Sequence, residues 1–374
     1  MAQVKNQGTL KTPPIFERTF QALVSHGTLS KQTAANVMKL SNHYVAKPDA
    51  KSPWTEPEAR EALLLYFHPL NQSRVYGVSQ RAAQLGFFTG LTKLTEIGAG
   101  SGAATIGLLA AHSGFEAIEL TDISKEILDL ARDIVKHSIS EKQTVAVRQS
   151  ELQSLKLSSS DSPKTLAVFS YVLTEGRAIE KLGHFLKSNP DLEALAIFEP
   201  ATQEDGRRLQ SLRSVLQDHG YSIWAPCPHA EACPLLAESD RDWCHDRTPH
   251  FKPDWWDKLE SELPIKNASL TVSYLFARKL KPLREPSVRV IGDPLFEKTK
   301  VRQMICRGPH REFMSWFPSR LGIKPEDFDL ARGDLFKSSL DIFKDPRGAD
   351  RSREYRLDLP AIQEIQKTNL TNSD

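Results

Sequence analysis

The sequence predicts an α/β protein whose centre is a doubly wound, Rossmann-like sheet of seven strands. Three observations lead to this fold class. Short apolar runs alternate with helical segments from residue 93 onward, which is typical of βαβ units. A glycine-rich stretch follows the first apolar run, and Asp122 ends the second, 20 residues after Gly102. We expect helices before this sheet and a small β unit after it.

The composition is that of an ordinary globular protein. Of its 374 residues, 40% are hydrophobic and 26% are charged, and the formal net charge is +2. Four cysteines are too few for a disulfide scaffold, which favours a reducing compartment. The N-terminus lacks the apolar stretch of a secretory signal, and no apolar run approaches about 18 residues. We expect a cytoplasmic monomer, with the mitochondrial matrix as the alternative, and neither a membrane nor DNA as a partner.

The elements follow in order along four regions. Apolar residues at helical spacing in IFERTFQALVSHG, SKQTAANVMKLSNHYV and EPEAREALLLYFHP predict N-terminal helices. Strand-like runs such as KLTEI, AIELT, TLAVFSYV and ALAIFE then alternate with helices such as SKEILDLARDIVKH. The predicted regions are a helical region 1–90, a sheet domain 91–280 with a Cys-rich insertion 225–250, a small basic β unit 281–340, and a polar, flexible tail 341–374.

The stretch TEIGAGSGAAT, from Thr95 to Thr105, is the main candidate for a cofactor site. Three glycines between a strand and a helix let the backbone turn sharply and come close to a ligand. An acidic residue at the position of Asp122 can bind the two ribose hydroxyls of a nucleoside. The candidate cofactor-binding residues are Glu96, Gly98, Ala99, Gly100, Ser101, Gly102, Asp122, Ile123 and Ser170.

The spacing of these glycines favours S-adenosylmethionine (SAM) over NAD(P). The dinucleotide fingerprint is G-x-G-x-x-G, spaced for a pyrophosphate. Here the order is G-x-G-x-G, preceded by an acidic residue that suits a ligand with a cationic amino group. LTDISKEILDLAR also resembles the second motif of class I SAM-dependent methyltransferases. We predict a sheet of that class that binds SAM; a glycine-rich turn that binds nothing is the alternative.

The ends of the fourth and fifth strands leave enzymatic activity open. The fourth strand reads VFSYVLTEG and lacks the N/D-P-P-Y/F motif common in methylation of exocyclic base nitrogens. Ser170 and Tyr171 stand where a cofactor or substrate can be touched. Glu175 can act as a base, although a favourable place at a helix N-terminus explains it better. Glu199 is a strand-end carboxylate beside the pocket, and we assign no catalytic set.

Three of the four cysteines lie in one Pro- and His-rich loop, APCPHAEACPLLAESDRDWCHD. These are Cys227, Cys233 and Cys244, and Cys306 lies far downstream. Thiolates bind zinc or iron–sulfur clusters, but this spacing is not that of a zinc ribbon. Buried core thiols are the alternative, although a polar loop is an unusual place for three of them.

The same loop carries a resemblance to a known family. APCPH…CP…WCH, with SYLFARK, RVIGDP and a lone Cys after it, resembles the methyltransferase-like assembly factors of the small ribosomal subunit, known from mitochondria and with bacterial relatives. YFHPLNQSRVYGVSQ and SYVLTE also match, so the resemblance spans about residues 58 to 335. It implies that Cys227, Cys233, Cys244 and Cys306 ligate one [4Fe–4S] cluster, and that the chain binds small-subunit ribosomal RNA. Two positions depart from the resemblance: the family tends to have an aromatic residue where Asp246 follows WCH, and often has Pro where Ser101 stands in the glycine loop.

The segment from Leu275 to Arg320 is rich in cations. It contains 11 Lys or Arg and 4 Asp or Glu, whereas the whole chain has a net charge of only +2. Such asymmetry is typical of nucleic-acid binding. Phe313, Trp316 and Phe317 can stack on bases, although we expect at least two of them in the core of the small β unit.

Three functions therefore fit the sequence. The first is an iron–sulfur, methyltransferase-like protein that binds small-subunit ribosomal RNA and assists ribosome assembly or translation. The second is an active SAM-dependent RNA methyltransferase, and the third is an RNA-binding protein held together by zinc. The altered fourth-strand motif favours the first, and the intact glycine loop supports the second.

Overall fold

The computed structural model describes residues 11–46, 52–157, 164–173, 178–267, 269–337, 342–343 and 353–369. Helices come first, as the apolar spacing predicts. They are α1 (Pro14–His26), α2 (Thr33–Ala46), α3 (Pro57–Ala62) and α4 (His68–Gln84), with a π-helical turn at Leu63–Phe67. α4 lies against the helix that follows the glycine loop, α5 (Ala103–Ala111). The two backbones come so close that a Cβ on Gly107 would lie 2.6 Å from the carbonyl oxygen of Gln72.

The central sheet is mixed and has a strand order of β3-β2-β1-β4-β5-β8-β6. Its strands are β1 (Lys93–Ile97), β2 (Ala117–Asp122), β3 (Thr144–Gln149), β4 (Thr165–Ser170), β5 (Ala194–Glu199), β6 (Ser222–Ala225) and β8 (Leu270–Arg278), and a short β7 (Asp246–Thr248) pairs with β8. β1 to β5 are parallel, and β8 runs antiparallel between β5 and β6. This is the strand order of class I methyltransferases, so the predicted fold class is confirmed. The eighth strand, β7, is the one addition.

Helices cover both faces of this sheet. They include α5, α6 (Lys125–Ser138), α7 (Ala178–Ser188) and α8 (Gln203–Asp218). The hydroxyl of Ser124 caps α6 by accepting from the backbone N–H of Ile127. β5 is buried along its whole length, which explains why ALAIFE reads as a continuous apolar run rather than an alternating one.

The Cys-rich insertion leaves the sheet after β6 and returns at β7. The insertion contains one short helix, α9 (Pro234–Glu238). A second short helix, α10 (Trp256–Ser261), follows β7. β6 and β8 are hydrogen-bonded neighbours, so the sheet holds both ends of this excursion close together.

A second, smaller sheet follows. It contains β9 (Ser287–Val290), β10 (Leu295–Phe296), β11 (Val301–Cys306), β12 (Glu312–Trp316), β13 (Leu335–Lys337) and β14 (Arg353–Arg356), in the order β13-β9-β11-β12-β14 with β10 beside β11. α11 (Pro318–Leu321) and α12 (Leu359–Thr368) complete this unit. One face of the sheet carries its core, which includes Met314, Trp316, Phe336 and Tyr355.

The structure corrects the prediction of a polar, flexible tail over 341–374. Within that range residues 353–369 form β14 and α12, and Ile362 and Ile365 of α12 are buried in the core of the small sheet. The sequence signal is weak because each element buries only a few apolar residues among many charged ones. Glu175 lies outside the described residues.

Candidate functional site

The glycine loop connects β1 to α5 at the carboxyl edge of the sheet. Gly98, Gly100 and Gly102 have φ angles of +66°, +51° and +78°, a region that side chains other than glycine rarely enter. A Cβ on Gly98 would lie 2.6 Å from Cγ2 of Val172. A Cβ on Gly100 would meet nothing within 4 Å, so this glycine borders open space. Gly98 therefore allows Val172 to pack against the loop, and Gly100 leaves open space beside it.

Two carboxyl groups hold the loop in place. Glu96 is buried, and its Oε2 accepts from the N–H of Thr105 at 3.0 Å and from the Thr105 hydroxyl at 2.5 Å. Burial raises the pKa of Glu96 to about 7. Asp122 accepts from the N–H of Gly100 at 3.0 Å and from the N–H of Ser124 at 3.1 Å. These two bonds attach Asp122 to the loop backbone at Gly100.

Further residues complete this pocket edge. The side chain of Ile123 is 42% exposed next to Asp122, which is unusual for a large apolar residue. The N–H of Ala99 donates to the carbonyl of Thr121 at 2.9 Å and joins the loop to β2. Ser101 is buried, and its hydroxyl lies 2.9 Å from Nδ1 of His68. Sequence reasoning did not single out His68, although it lies in the YFHPLNQ stretch of the family resemblance.

His68 brings the N-terminal helices to the glycine loop. Its ring is fully buried at the start of α4, and burial lowers its pKa to about 3, so the imidazole is neutral. Arg74 lies further along the same helix. Its guanidinium is within hydrogen-bonding range of the Tyr171 phenol, whose pKa is raised by burial. The helical region therefore contacts both the glycine loop and the residue that follows β4.

The ends of β4 and β5 lie at the same edge of the sheet as the glycine loop. Tyr171 follows Ser170 and has φ +60°, a strained value for a residue with a side chain. Glu199 ends β5 and is 3% exposed. Its Oε1 accepts from the N–H of Leu173 at 2.9 Å, and among the described residues its Oε2 has no hydrogen-bond partner. Burial raises the pKa of Glu199 to about 8, so this carboxyl is mostly protonated at neutral pH.

The four thiols meet in space. Cys227, Cys233, Cys244 and Cys306 line a single cavity between the Cys-rich insertion and β11. None of them forms a disulfide. Two side chains lie within hydrogen-bonding distance of the sulfurs: Nη1 of Arg289 in β9 donates to Sγ of Cys244 at 3.0 Å, and Nε2 of His229, within the loop itself, lies 3.1 Å from Sγ of Cys306.

The electrostatics of this cavity oppose ionisation of the bare thiols. Burial raises the pKa of Cys233 to about 11, and it raises the pKa of Cys244 and Cys306 as well. The neighbouring thiols raise these pKa values further, whereas Arg213 and Arg289 lower them. In the part of the chain that the structure describes, no three His, Cys, Asp or Glu side chains form a group suited to a single metal ion.

A buried ionic network lies directly behind the thiols. Asp246 is fully buried and pairs with Arg81 of α4 and Arg289 of β9, and it accepts from the hydroxyl of Tyr274 at 2.7 Å. Burial opposes ionisation of Asp246, but the two arginines outweigh this effect and lower its pKa. Asp246 is therefore a structural centre that joins three parts of the chain. Sequence reasoning missed it because nothing local marks a buried Asp.

The cation-rich segment is less basic on its surface than the residue count predicts. Arg278 pairs with Glu193, and Arg284 donates to the carbonyl of Cys227 at 2.5 Å. The arginines of this segment that bind carboxylates or carbonyls within the fold are Arg278, Arg284, Arg289, Arg302, Arg307 and Arg311. Phe313 and Trp316 are buried as expected, and Phe317 is half-buried. The inference that the count requires a basic surface over 275–320 is therefore wrong for most of these arginines, because their charges are used inside.

Strand order, the glycine loop and the carboxyl group at the end of β2 together define a class I methyltransferase-like protein. The family described as "Mitochondrial small ribosomal subunit Rsm22" matches residues 81–337, and the chain belongs to this family. No curated protein matches the chain. No helix within the described ranges has the length and apolar character needed to cross a membrane.

Solved structures similar to this chain are distant methyltransferases. Magnesium protoporphyrin IX methyltransferase of Synechocystis, with bound SAH, is 14% identical with a TM-score of 0.35, and the match covers 65% of this chain and 94% of that one. A candidate RNA methyltransferase of Pyrococcus horikoshii is 13% identical with a TM-score of 0.34, covering 67% and 98%. TrmK of M. capricolum, also with SAH, is 11% identical with a TM-score of 0.31, covering 54% and 69%. These likenesses are too distant to transfer an activity.

Proposed function

We propose that this protein is an iron–sulfur, SAM-binding factor that binds small-subunit ribosomal RNA and assists ribosome assembly or translation. The observation that carries the proposal is the convergence of four reduced thiols, from two distant parts of the chain, on one cavity. The family described for the mitochondrial small ribosomal subunit supports the partner, and it favours the mitochondrial matrix over the cytoplasm as the compartment. Co-sedimentation with small subunits in a density gradient tests this partnership.

The four thiols are better explained as ligands of a cluster than as buried thiols without a ligand. Buried thiols with raised pKa values gain little from proximity to each other unless a cationic group holds them as thiolates. Four cysteine thiolates are the usual ligands of a [4Fe–4S] cluster. A cluster with four thiolates carries net negative charge, and Arg213 and Arg289 beside the sulfurs offset it. When bound, the cluster supplies a cross-link between thiolates and a centre that can exchange an electron.

This cross-link would join the insertion of the large sheet to the small sheet. Cys227, Cys233 and Cys244 belong to the insertion of the large sheet, and Cys306 ends β11 of the small sheet. The apolar contact between the two parts at this point is small and consists mainly of Leu235, Ile291 and Met304. Zinc bound by the same four thiolates can supply the same cross-link, and metal analysis distinguishes the two.

Replacing Cys306 with Ser is the sharpest test of the cluster. We expect wild-type protein purified without oxygen to contain iron and sulfide, and Cys306→Ser to lose both and to become protease-sensitive beyond β8. RNA affinity should fall in this variant, while SAM affinity stays within about twofold. Met304→Leu, which changes volume little at a neighbouring site, is the control and should retain the iron.

Two results would contradict this assignment. Wild-type protein with one zinc and neither iron nor sulfide would favour the zinc alternative. A Cys306→Ser variant that keeps RNA binding and loses SAM binding would mean that the thiol site serves the cofactor pocket instead.

SAM binding is proposed at the glycine loop. The Asp122 carboxylate would bind the ribose hydroxyls, Ile123 offers an exposed apolar surface for the adenine, and the open side of Gly100 leaves space for the ligand. We expect Asp122→Ala to weaken SAM binding by about 1–3 kcal/mol through lost charge-assisted hydrogen bonds. Isothermal calorimetry measures this, with Asp133→Ala on the exposed side of α6 as control. Wild-type protein that does not bind SAM would show a vestigial pocket.

An active RNA methyltransferase is the second candidate, and the edge of the sheet that carries Tyr171 and Glu199 favours it. A buried, mostly protonated carboxyl group with a free oxygen is costly to keep unless something uses it. Transfer of a labelled methyl group from SAM to small-subunit RNA tests this. Activity that Glu199→Gln abolishes, without loss of SAM affinity, would establish the second function; its absence leaves the fold as a scaffold.

A further inference from the structure

The face of the small sheet that lies opposite its core carries an unusual pattern of arginines and phenylalanines. Along β11, Val301 and Ile305 point into the core, whereas Arg302, Met304 and Cys306 occupy the other face. Residues of one strand alternate between faces, so the neighbouring strands add their own alternate residues to it. At one end this face meets the thiol cavity, through Met304 and Cys306.

The other end carries two rings, each flanked by two guanidinium groups. The Arg302 and Arg311 Cζ atoms lie 4.7 and 4.9 Å from the centre of the Phe313 ring. The Arg320 and Arg356 Cζ atoms lie 4.7 and 4.6 Å from the centre of the Phe317 ring. We name Arg320 and Arg356, which both lie over the Phe317 ring, the arginine pair.

The arginine pair differs from the group on Phe313 in its charge balance. Arg302 pairs with Glu297 and Glu354, and Arg311 pairs with Asp242. Arg320 and Arg356 are exposed, and within the described ranges no carboxylate lies at salt-bridge distance from either. Two exposed cations that lie over one ring, without a carboxylate partner among the described residues, are therefore available to a ligand.

We propose that the arginine pair is an RNA-docking surface, which rests on the proposed RNA-binding function and gives it a location. A guanidinium group stacked on a ring presents its N–H edge outward, and that edge matches a phosphate or a base edge with two parallel hydrogen bonds. Stacking on Phe317 also limits the rotamers of both arginines, which lowers the entropy lost on binding. Single-stranded RNA offers phosphates and unstacked bases to such groups.

The location differs from the one that the residue count suggests. The segment 275–320 was the cationic part of the sequence, but most of its arginines bind internal partners, and of the arginine pair only Arg320 belongs to it. Arg356 comes from β14, in the region expected to be a flexible tail. Pairing of Ser315 with Arg356 in the β12–β14 ladder brings the two together.

The test compares RNA affinity of purified full-length protein in three forms. They are wild type, Arg320→Ala/Arg356→Ala, and a control, Lys142→Ala/Lys258→Ala, which removes two exposed cations from the large domain. Fluorescence anisotropy with a labelled single-stranded RNA of about 20 nucleotides is measured between about 50 and 200 mM salt. Circular dichroism of each variant verifies its fold.

We expect the arginine-pair variant to bind at least about tenfold more weakly, and the slope of log K against log salt to fall by about 1.4, which is two phosphate contacts at about 0.7 each. The control should bind within about twofold of wild type. An arginine-pair variant that binds like the control overturns the location while RNA binding stands. In that case we would expect this face of the small sheet to bind a protein partner instead. A wild type without salt-dependent RNA binding overturns the location and the proposed function together.

Discussion

Glu199 is a residue whose ionisation is strongly coupled to its burial. Its pKa is about 8 in the folded chain because burial disfavours the charge, against 4.5 for an ordinary glutamate. Below about pH 4.5 the carboxyl is protonated in both the folded and the unfolded chain, so it does not change the free energy of unfolding. As pH rises from about 4.5 to 8 the unfolded chain releases its proton first, so this group lowers the free energy of unfolding over that window.

Glu199→Gln removes this dependence. A glutamine keeps the acceptor for the N–H of Leu173 and cannot ionise. We expect the stability of the variant relative to wild type to increase between about pH 5 and pH 8 by at least about 1.4 kcal/mol, the free energy of one pKa unit. Urea unfolding at both pH values measures it. Glu204→Gln, an exposed residue of α8, should give the same difference at both, and a flat difference for Glu199→Gln would contradict the raised pKa.

Sequence spacing located the residues of the glycine loop but not their partners. Gly98, Gly100 and Asp122 follow a local pattern, so they can be read directly. The contact of His68 with Ser101, and the positive φ of Tyr171, depend on how α4 and β5 are placed against the loop. No short stretch of sequence encodes such tertiary contacts.

At the scale of elements, the contact between α4 and α5 is the closest helix packing around the site. A Cβ on Gly107 would lie 2.6 Å from a backbone oxygen of α4, 2.9 Å from Cβ of Val75 and 3.0 Å from the backbone nitrogen of Tyr76. Backbone atoms cannot move aside cheaply. The glycine therefore sets the distance between the N-terminal helices and the glycine loop.

We expect Gly107→Ala to cost about 1–3 kcal/mol of stability through overpacking, despite the better helix propensity of alanine. The matched control is Gly183→Ala in α7, where an added Cβ meets nothing within 4 Å. That substitution should be neutral or add up to about 1 kcal/mol. Chemical denaturation measures the free energy of unfolding of both variants. Equal changes for Gly107→Ala and Gly183→Ala would show that α4 and α5 can separate without cost.

The predicted and observed elements agree best where apolar patterns are strong. β1, β2, β4 and β5 are buried runs and stand where the sequence predicts strands. β14 reads REYR and buries little apart from Tyr355, so nothing in its pattern indicates a strand. It is held by pairing with β12, a contact between residues about 40 positions apart that local propensity cannot anticipate.

Across the whole molecule, Asp246 joins the three structural parts. Arg81 reaches it from the N-terminal helices, Tyr274 from the large sheet, and Arg289 from the small sheet. We expect Asp246→Asn to cost about 3–5 kcal/mol, because it removes the shared anion of the buried Arg289 and the partly buried Arg81. The exposed pair of Arg247 and Asp293 offers the control: Asp293→Asn should cost less than about 1 kcal/mol.

Thermal and chemical unfolding of both variants check this prediction. A loss for Asp246→Asn as small as that for Asp293→Asn would mean that the three parts are held by apolar packing alone.

Internal ion pairs such as those of Asp246 also explain why counting cations in the sequence overstated the basic surface. A count cannot separate arginines that bind internal carboxylates from arginines that face solvent, and here the former outnumber the latter.

The position of Cys306 at the end of β11 has a consequence for the order in which the protein is made. Translation delivers three of the thiols with the insertion, and the fourth only with the small sheet. That sheet is completed by β14, near the end of the chain. A nascent chain therefore cannot gather all four sulfurs until most of it has left the ribosome. Loading of the proposed cluster would then require synthesis past β11, and products truncated before Cys306 would remain unloaded.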